Sequence, residues 1–272
     1  MALIDNNQII IVRGGGDLAT GVVQKFHRAG FHVLVLEISA PTAVRRSVAL
    51  CEAVYDGVKQ VEDVTCRLIS GIDEAEACWT EKSVPLIVDP HGASIKEINP
   101  AAVIDAILAK RNLGTTRCMA DVTIGLGPGF NAGEDVDAVI ETDRGHDLGR
   151  LILQGCAKPD TGIPGEIEGE SSQRVLRAPS TGIMINIKQI GSLVEQGEAV
   201  FSVSGAQVNA PFKGVLRGLL RENAHVQKGM KVGDIDPRFD VDWRTISDKA
   251  RSLGGAALEA YLYLNKRKGE RL

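Results

Sequence analysis

The chain has 272 residues, 44% hydrophobic and 24% charged, with a net charge of −4. That length suffices for one large domain or two ordinary ones with buried cores. The acidic balance gives no electrostatic basis for nucleic-acid binding, and no apolar run approaches the roughly 20 residues of a membrane helix.

The first eight residues are polar and acidic and lack the pattern of a secretion signal. The five cysteines, Cys51, Cys66, Cys78, Cys118 and Cys156, are odd in number, widely spaced and never C-x-x-C. They read as reduced thiols of a cytoplasmic protein, with neither a disulfide frame nor a zinc site. The histidines are scattered, so no metal site is expected.

Ile9-Ile10-Ile11-Val12 reads as a buried strand that Gly14, Gly15 and Gly16 end. Leu18, Val22 and Phe26, with Ala19 and Val23 beside them, then recur at helical spacing up to Gly30. His32-Val33-Leu34-Val35-Leu36-Glu37 is a second strand, which completes a βαβ unit. Gly14, Gly16 and Ala19 fit G-x-G-x-x-G/A in the setting that gives this motif meaning. Glycine lets the main chain approach a pyrophosphate, and the helix start offers unpaired N–H groups with partial positive charge. Gly14, Gly15, Gly16, Asp17 and Leu18 are therefore candidate cofactor contacts. Glu37, about 20 residues on, stands where an acid takes a ribose hydroxyl. The competing reading is a tight turn that binds nothing.

Further along, Thr42 could cap a short helix carrying Arg45 and Arg46, which would be solvated or touch an anion. Ala53-Val54-Tyr55 and Val64-Thr65-Cys66-Arg67-Leu68-Ile69 read as short strands, and residues 73–82 as a helix. Val84-Pro85-Leu86-Ile87-Val88 is a strand; Asp89-Pro90-His91 after it is a turn or a site. Asn99-Pro100 reads as a helix start, with an apolar stripe over 102–108 and a stop at Gly114. Asp121-Val122-Thr123-Ile124-Gly125-Leu126 is a strand leading to a second glycine-rich turn. There Gly127 and Gly129 could form an anion-binding nest. It lacks the Lys-Ser/Thr of a P-loop. After the strand Val136-Asp137-Ala138-Val139-Ile140-Glu141-Thr142 comes the most chemically dense stretch. Asp143, Arg144, His146, Asp147 and Arg150 stand within eight residues. His146 beside Asp147 suggests a general base and its orienter, with Asp143 and Arg144 as further candidates. The alternative is a charged, hydrogen-bonded turn.

Turn formers crowd residues 158–165, and helical patterning stops there until the end of the chain. The next stretch is duplicated: Arg177-Ala178-Pro179-Ser180-Thr181-Gly182 returns as Asn209-Ala210-Pro211-Phe212-Lys213-Gly214, and Val194-Glu195-Gln196-Gly197 as Val226-Gln227-Lys228-Gly229, each 32 residues on. Two such β halves resemble the barrel-sandwich hybrid of biotinyl and lipoyl carrier domains. Those domains carry their cofactor on a lysine between the halves. Here no lysine occurs between Lys188 and Lys213, so neither biotin nor lipoate is expected. A final helix is expected from Ser247, followed by a short basic tail. The expected architecture is α/β: a Rossmann-like parallel-sheet domain over 1–158, a β barrel-sandwich module over 170–238, and a C-terminal helical segment over 239–272 packing on the first domain.

Several motifs together carry a resemblance over nearly the whole chain. They are Val12-Arg13-Gly14-Gly15-Gly16-Asp17-Leu18-Ala19-Thr20-Gly21, Lys110-Arg111-Asn112-Leu113-Gly114, Gly125-Leu126-Gly127-Pro128-Gly129-Phe130, Arg144-Gly145-His146-Asp147-Leu148-Gly149-Arg150, Thr161-Gly162-Ile163-Pro164-Gly165, Asp234-Ile235-Asp236-Pro237-Arg238 and Thr245-Ile246-Ser247-Asp248-Lys249-Ala250-Arg251. This combination resembles the YqeB-type accessory proteins of the bacterial selenium-dependent molybdenum hydroxylase system. The resemblance implies a maturation role, with a molybdenum hydroxylase or its other maturation proteins as partners. The ligand would be a nucleotide-bearing small molecule, either NAD(P) or a molybdopterin dinucleotide. Two other classes remain open: a non-enzymatic scaffold regulated by nucleotide, and an NAD-dependent oxidoreductase acting on a small metabolite through His146 or His91.

Overall fold

A computed structural model describes residues 8–160, 162, 169–170 and 172–269. Half of the turn-rich stretch 158–165, nearly all of the Thr161-Gly162-Ile163-Pro164-Gly165 motif, the first seven residues and the end of the basic tail lie outside the described residues. The chain divides into two compact units. The first takes the described parts of Met1–Pro41, Ala49–Asp160 and Ile246–Leu272, and the second those of Thr42–Val48 and Thr161–Thr245.

In the first unit, Ile10, Ile11 and Val12 are fully buried and form the centre of β1 (Ile9–Arg13). Helix α1 (Asp17–Arg28) buries Val22, Val23 and Phe26 and stops before Gly30, whose φ of +90° suits glycine. The chain continues through β2 (His32–Glu37), α2 (Ala53–Asp56), β3 (Val58–Val61), β4 (Val64–Ile69), α3 (Ala75–Thr80) and β5 (Val84–Val88). Then come α4 (Ala93–Ile98), β6 (Ala102–Asp105), β7 (Val122–Leu126), β8 (Asn131–Ala132), β9 (Ala138–Ile140), β10 (Leu151–Ile152) and β11 (Gly155–Cys156). One nine-stranded sheet has the order β10-β9-β7-β6-β1-β2-β5-β4-β3. From β9 through β4 every pairing is parallel, and the two edge strands are antiparallel.

Helix α5 (Asp248–Gly269) also belongs to this unit. A Cβ on Gly21 would stand 2.1 Å from the Ala250 carbonyl oxygen, and one on Gly254 2.2 Å from that of Gly21. The two helices therefore touch backbone to backbone. Farther along, the Phe26 and Tyr261 rings meet at 5.8 Å. Contacts advance in step along both helices, so α1 and α5 run the same way and begin at the same end.

Two expectations fail here. Residues 102–105 form β6, not a helical stripe, and Asn99 closes α4 with a φ of +49° rather than opening a helix. All four residues of β6 are buried, and so short an apolar run carries no period that separates strand from helix. Ala53-Val54-Tyr55 lies in the short α2 rather than a strand. Arg45 and Arg46 are absorbed by the second unit, donating to the carbonyl oxygens of Thr245 (3.4 Å) and Leu219 (2.6 Å).

The second unit contains β12 (Val175–Arg177), β13 (Gly182–Asn186), β14 (Leu193–Val194), β15 (Ala199–Val203), β16 (Ala206–Asn209), β17 (Gly214–Leu219), β18 (His225–Val226) and β19 (Lys231–Asp236). Two antiparallel four-stranded sheets run β12-β19-β17-β14 and β16-β15-β13-β18. A shift of 32 residues carries β12, β13, β14 and β15 onto β16, β17, β18 and β19 and exchanges the sheets. Equivalent core residues share the same fate: Met184 and Leu216, Val194 and Val226, Val203 and Ile235 are all fully buried. The turn from β15 to β16 is Ser204-Gly205, both at positive φ, the conformation that suits a two-residue hairpin.

Candidate functional site

In the first unit's sheet the chain passes from β1 to β2 on one side, then returns to lay β6 on the other. At such a reversal the loops diverge and leave a crevice beyond the carboxyl ends of the strands. Gly14, Gly15, Gly16 and Asp17 stand there, but they differ in their surroundings. A Cβ on Gly14 would meet Ala106 and Ile107 main chain at 3.1 Å. One on Gly15 would stand 2.9 Å from the Cys51 nitrogen, and the Gly15 carbonyl accepts the Cys51 N–H at 2.8 Å. One on Gly16 would meet no atom of the described residues within 4 Å. Gly16 is also the N-cap of α1, extended, with no side chain of its own to cap the helix. Asp17 lies in the first turn, and Leu18 is half-buried beside it.

Glu37 is already engaged with this turn. Its carboxylate accepts the Gly15 and Ile38 N–H groups, each at 2.8 Å. Burial raises its pKa above the usual carboxylate range, outweighing those two bonds. Below the turn lies a polar network absent from the sequence reading. Arg13, 2% exposed, donates to Thr115 Oγ1 at 2.5 Å and to the Pro90 carbonyl at 3.4 Å, and lies 3.6 Å from Asp105 Oδ2. The Thr115 hydroxyl donates to Asp105 at 2.6 Å. Burial pushes the Asp105 carboxyl up in pKa, against the pull of Thr115 and Arg13. The only prior signal was charge at each end of a strand: an arginine closing β1 and an aspartate closing β6.

Other expected residues are accounted for locally. Asp89 caps α4, accepting the Ala93 N–H at 3.0 Å and the Ser94 N–H at 2.8 Å. Gly127 and Gly129, after β7, are filled from within: their Cβ positions lie 2.6 Å from Thr142 Oγ1 and from Arg111 main chain. Arg144 grips the Asp248 carboxylate at 2.7 and 2.9 Å. Asp147 accepts Lys158 at 2.8 Å and Arg150 at 3.3 Å, and Lys158 chiefly holds its pKa below the ordinary range. His146 and Asp143 are exposed. An open cleft of about 570 Å³ is lined by Glu141, Asp147, Arg150, Cys156 and Lys158 among others. Glu141 shapes it by accepting three main-chain N–H groups, those of Thr142, Asp143 and Lys158.

Lys249 opens α5 beside the start of α1 and was named only within a motif. It is half-buried, and among the described residues it makes no hydrogen bond or ion pair. Burial, then Arg144, lower its pKa; Asp17, Asp143 and Asp160 act the other way without prevailing. Cys51, Cys66 and Cys78 are buried, with burial raising the first two thiols, whereas Cys118 and Cys156 are exposed. Among the described residues no cluster of three or more His, Cys, Asp or Glu could hold a metal, and no helix is long and apolar enough to cross a membrane.

Fold and crevice thus define a mixed α/β protein with a large, mainly parallel sheet, further antiparallel sheets and a C-terminal helix. No family model matches the chain. It is 47% identical over 259 residues to the "Uncharacterized protein YqeB" of Escherichia coli (strain K12), across 95% of this chain and 48% of that protein. The chain spans about half the length of the curated relative it matches. Among solved structures it is similar to an aspartoacylase family protein from Mesorhizobium loti, with 12% identity and a TM-score of 0.24 over 76% of this chain and 57% of that one. It is also similar to the ectoine utilization protein EutE (DoeB) from Ruegeria pomeroyi, with 9% identity and a TM-score of 0.26 over 84% and 85%. Superpositions that weak define no common site.

Proposed function

We propose that the first unit binds a nucleotide-bearing ligand, NAD(P) or a molybdopterin dinucleotide, at the crevice beside Gly16. The whole protein would then serve the maturation of a selenium-dependent molybdenum hydroxylase. The observation that carries this reading is a helix start at Gly16, where no described atom lies within 4 Å of a Cβ position, at the point where the sheet reverses. Backbone N–H groups at such a start suit a pyrophosphate. In this reading β1, α1 and β2 act as a Rossmann-type unit. Glu37 turns from Gly15 toward a ribose hydroxyl when the ligand arrives. The second unit acts as a barrel-sandwich module without a carrier lysine, meeting the hydroxylase or another maturation protein.

A second reading, a scaffold that turns over no small molecule, is favoured by the internal pairing of Arg144 with Asp248 and of Asp147 with Lys158. Capture of a hydroxylase subunit without turnover of NAD would favour it. Calorimetric titration with NAD, NADP and ATP tests the main reading. Wild-type protein should bind at least one, and Gly16→Val should lose it while unfolding at nearly the same temperature. Equal affinity in both proteins contradicts the site.

A further inference from the structure

The segment 141–159 builds a concavity of its own at the edge of the large sheet. β9 runs parallel to β7, so the chain leaves it at the carboxyl edge, where open α/β sheets take ligands. It then returns as β10, antiparallel to β9, and closes that side of the sheet. Two recesses result, of about 570 and 390 Å³, and they share Asp147 and Arg150. The larger is of a size that suits a small organic molecule.

Part of its lining is cationic. Asp147 takes Lys158 on one carboxylate oxygen and Arg150 on the other, which gathers two cations around one acid. Glu141, also in the lining, gives its carboxylate to three main-chain N–H groups. Among the described residues the Arg150 fork and the Lys158 ammonium spend their donors on Asp147 alone and leave the others to solvent. Their side chains are 70% and 54% exposed. Ion pairs in such contact with water are weak, so these cations can turn to a second anion at little cost. Much of the remaining lining is apolar: Leu151, Ile152, Leu153 and Ala157, with Leu153 39% exposed. Spare cationic donors beside exposed apolar side chains in one concavity match a molecule with an oxyanion head and an apolar body.

We propose that this cleft binds a small organic oxyanion, a carboxylate or a phosphate ester. Its head meets Arg150 and Lys158, and its apolar body lies along Leu151 and Leu153. The site shares no residue with the Gly16 crevice and does not rest on the nucleotide reading. Cys156 also lines the cleft and is exposed, so its thiol reports on occupancy.

The test alkylates the native full chain with iodoacetamide and follows Cys156 by peptide mass spectrometry, with exposed Cys118 as the internal reference. Phenyl phosphate and phenylacetate are the probes; inorganic phosphate and benzyl alcohol each supply one half of such a ligand. At least one probe should slow Cys156 saturably and leave Cys118 unchanged, and each half alone should need about tenfold more for the same protection. Arg150→Gln and Lys158→Gln should each raise the probe concentration required by about tenfold, and Gly16→Val should not change it. Failure of both probes to protect Cys156, equal protection of Cys118, or protection unaltered in Arg150→Gln and Lys158→Gln overturns the proposal. Inorganic phosphate that protects as well as phenyl phosphate overturns the apolar half of the site, and loss of protection in Gly16→Val overturns its independence from the crevice.

Discussion

The turn after β1 and the turn after β7 leave the parallel sheet at the same edge, and both are rich in glycine. Around Gly127 and Gly129 the chain itself occupies the place of every missing side chain, with Thr142 on one and Arg111 on the other. Around Gly14 and Gly15 the same is true, through Ala106, Ile107 and Cys51. Of these five glycines, only Gly16 has no described atom within 4 Å of its Cβ position. A glycine can thus be demanded by internal packing or by something that approaches from outside, and the spacing of glycines in a sequence does not separate the two. A Cβ placed at each position does.

Five substitutions sharpen or break that comparison. The largest effect should come from the floor of the first turn. Asp105→Ala leaves Arg13 buried without its carboxylate and should cost about 3–5 kcal/mol in denaturant unfolding. A cost below about 1 kcal/mol would mean that the network does not support the turn. Next comes Gly129→Ala, which meets Arg111 main chain at a φ of +109°. It should cost about 2–3 kcal/mol, against less than about 1 kcal/mol for Gly16→Ala. Equal costs would erase the distinction between the two turns.

Glu37→Gln should act mainly through pH. Burial raises the Glu37 pKa, so its favourable contribution is present below the ordinary carboxylate range and is lost as pH rises through the raised value. The melting temperature of the variant relative to wild type should therefore climb as pH rises from the ordinary carboxylate range through the raised value. A flat difference would mean that Glu37 is not held out of water by the turn. The smallest effect belongs to a control far from both glycine turns in sequence. Hydrogen bonds from Arg28 hold Asp63 at a pKa of about 2, so its contribution is complete above the ordinary aspartate value and fades as pH falls toward 2. The pair is largely exposed, so Asp63→Asn should cost less than about 1 kcal/mol at neutral pH, measured by chemical denaturation.

Much of the architecture was legible because its signals are periodic. The Ile9-Ile10-Ile11-Val12 run, the helical spacing of Val22 and Phe26, and the 32-residue echo in the second unit each repeat a simple pattern. The misreadings fell where the pattern was too short. Ala102-Val103-Ile104-Asp105 is four buried residues, and its neighbours Asn99 and Pro100 imitate a helix start. The site was legible only in part. Gly16 and Glu37 belong to one local motif, but Arg13 with Asp105 and Thr115, and Arg144 with Asp248, are joined by parallel strands and by a helix returning from the far end of the chain. Such partnerships exist only once the topology is known.

The most direct measurement is native mass spectrometry of the purified protein offered NAD, NADP, FAD, ATP and molybdopterin dinucleotides in turn. The account predicts that wild-type protein retains one of these and that Gly16→Val does not. Retention by both proteins, or by neither, would contradict it.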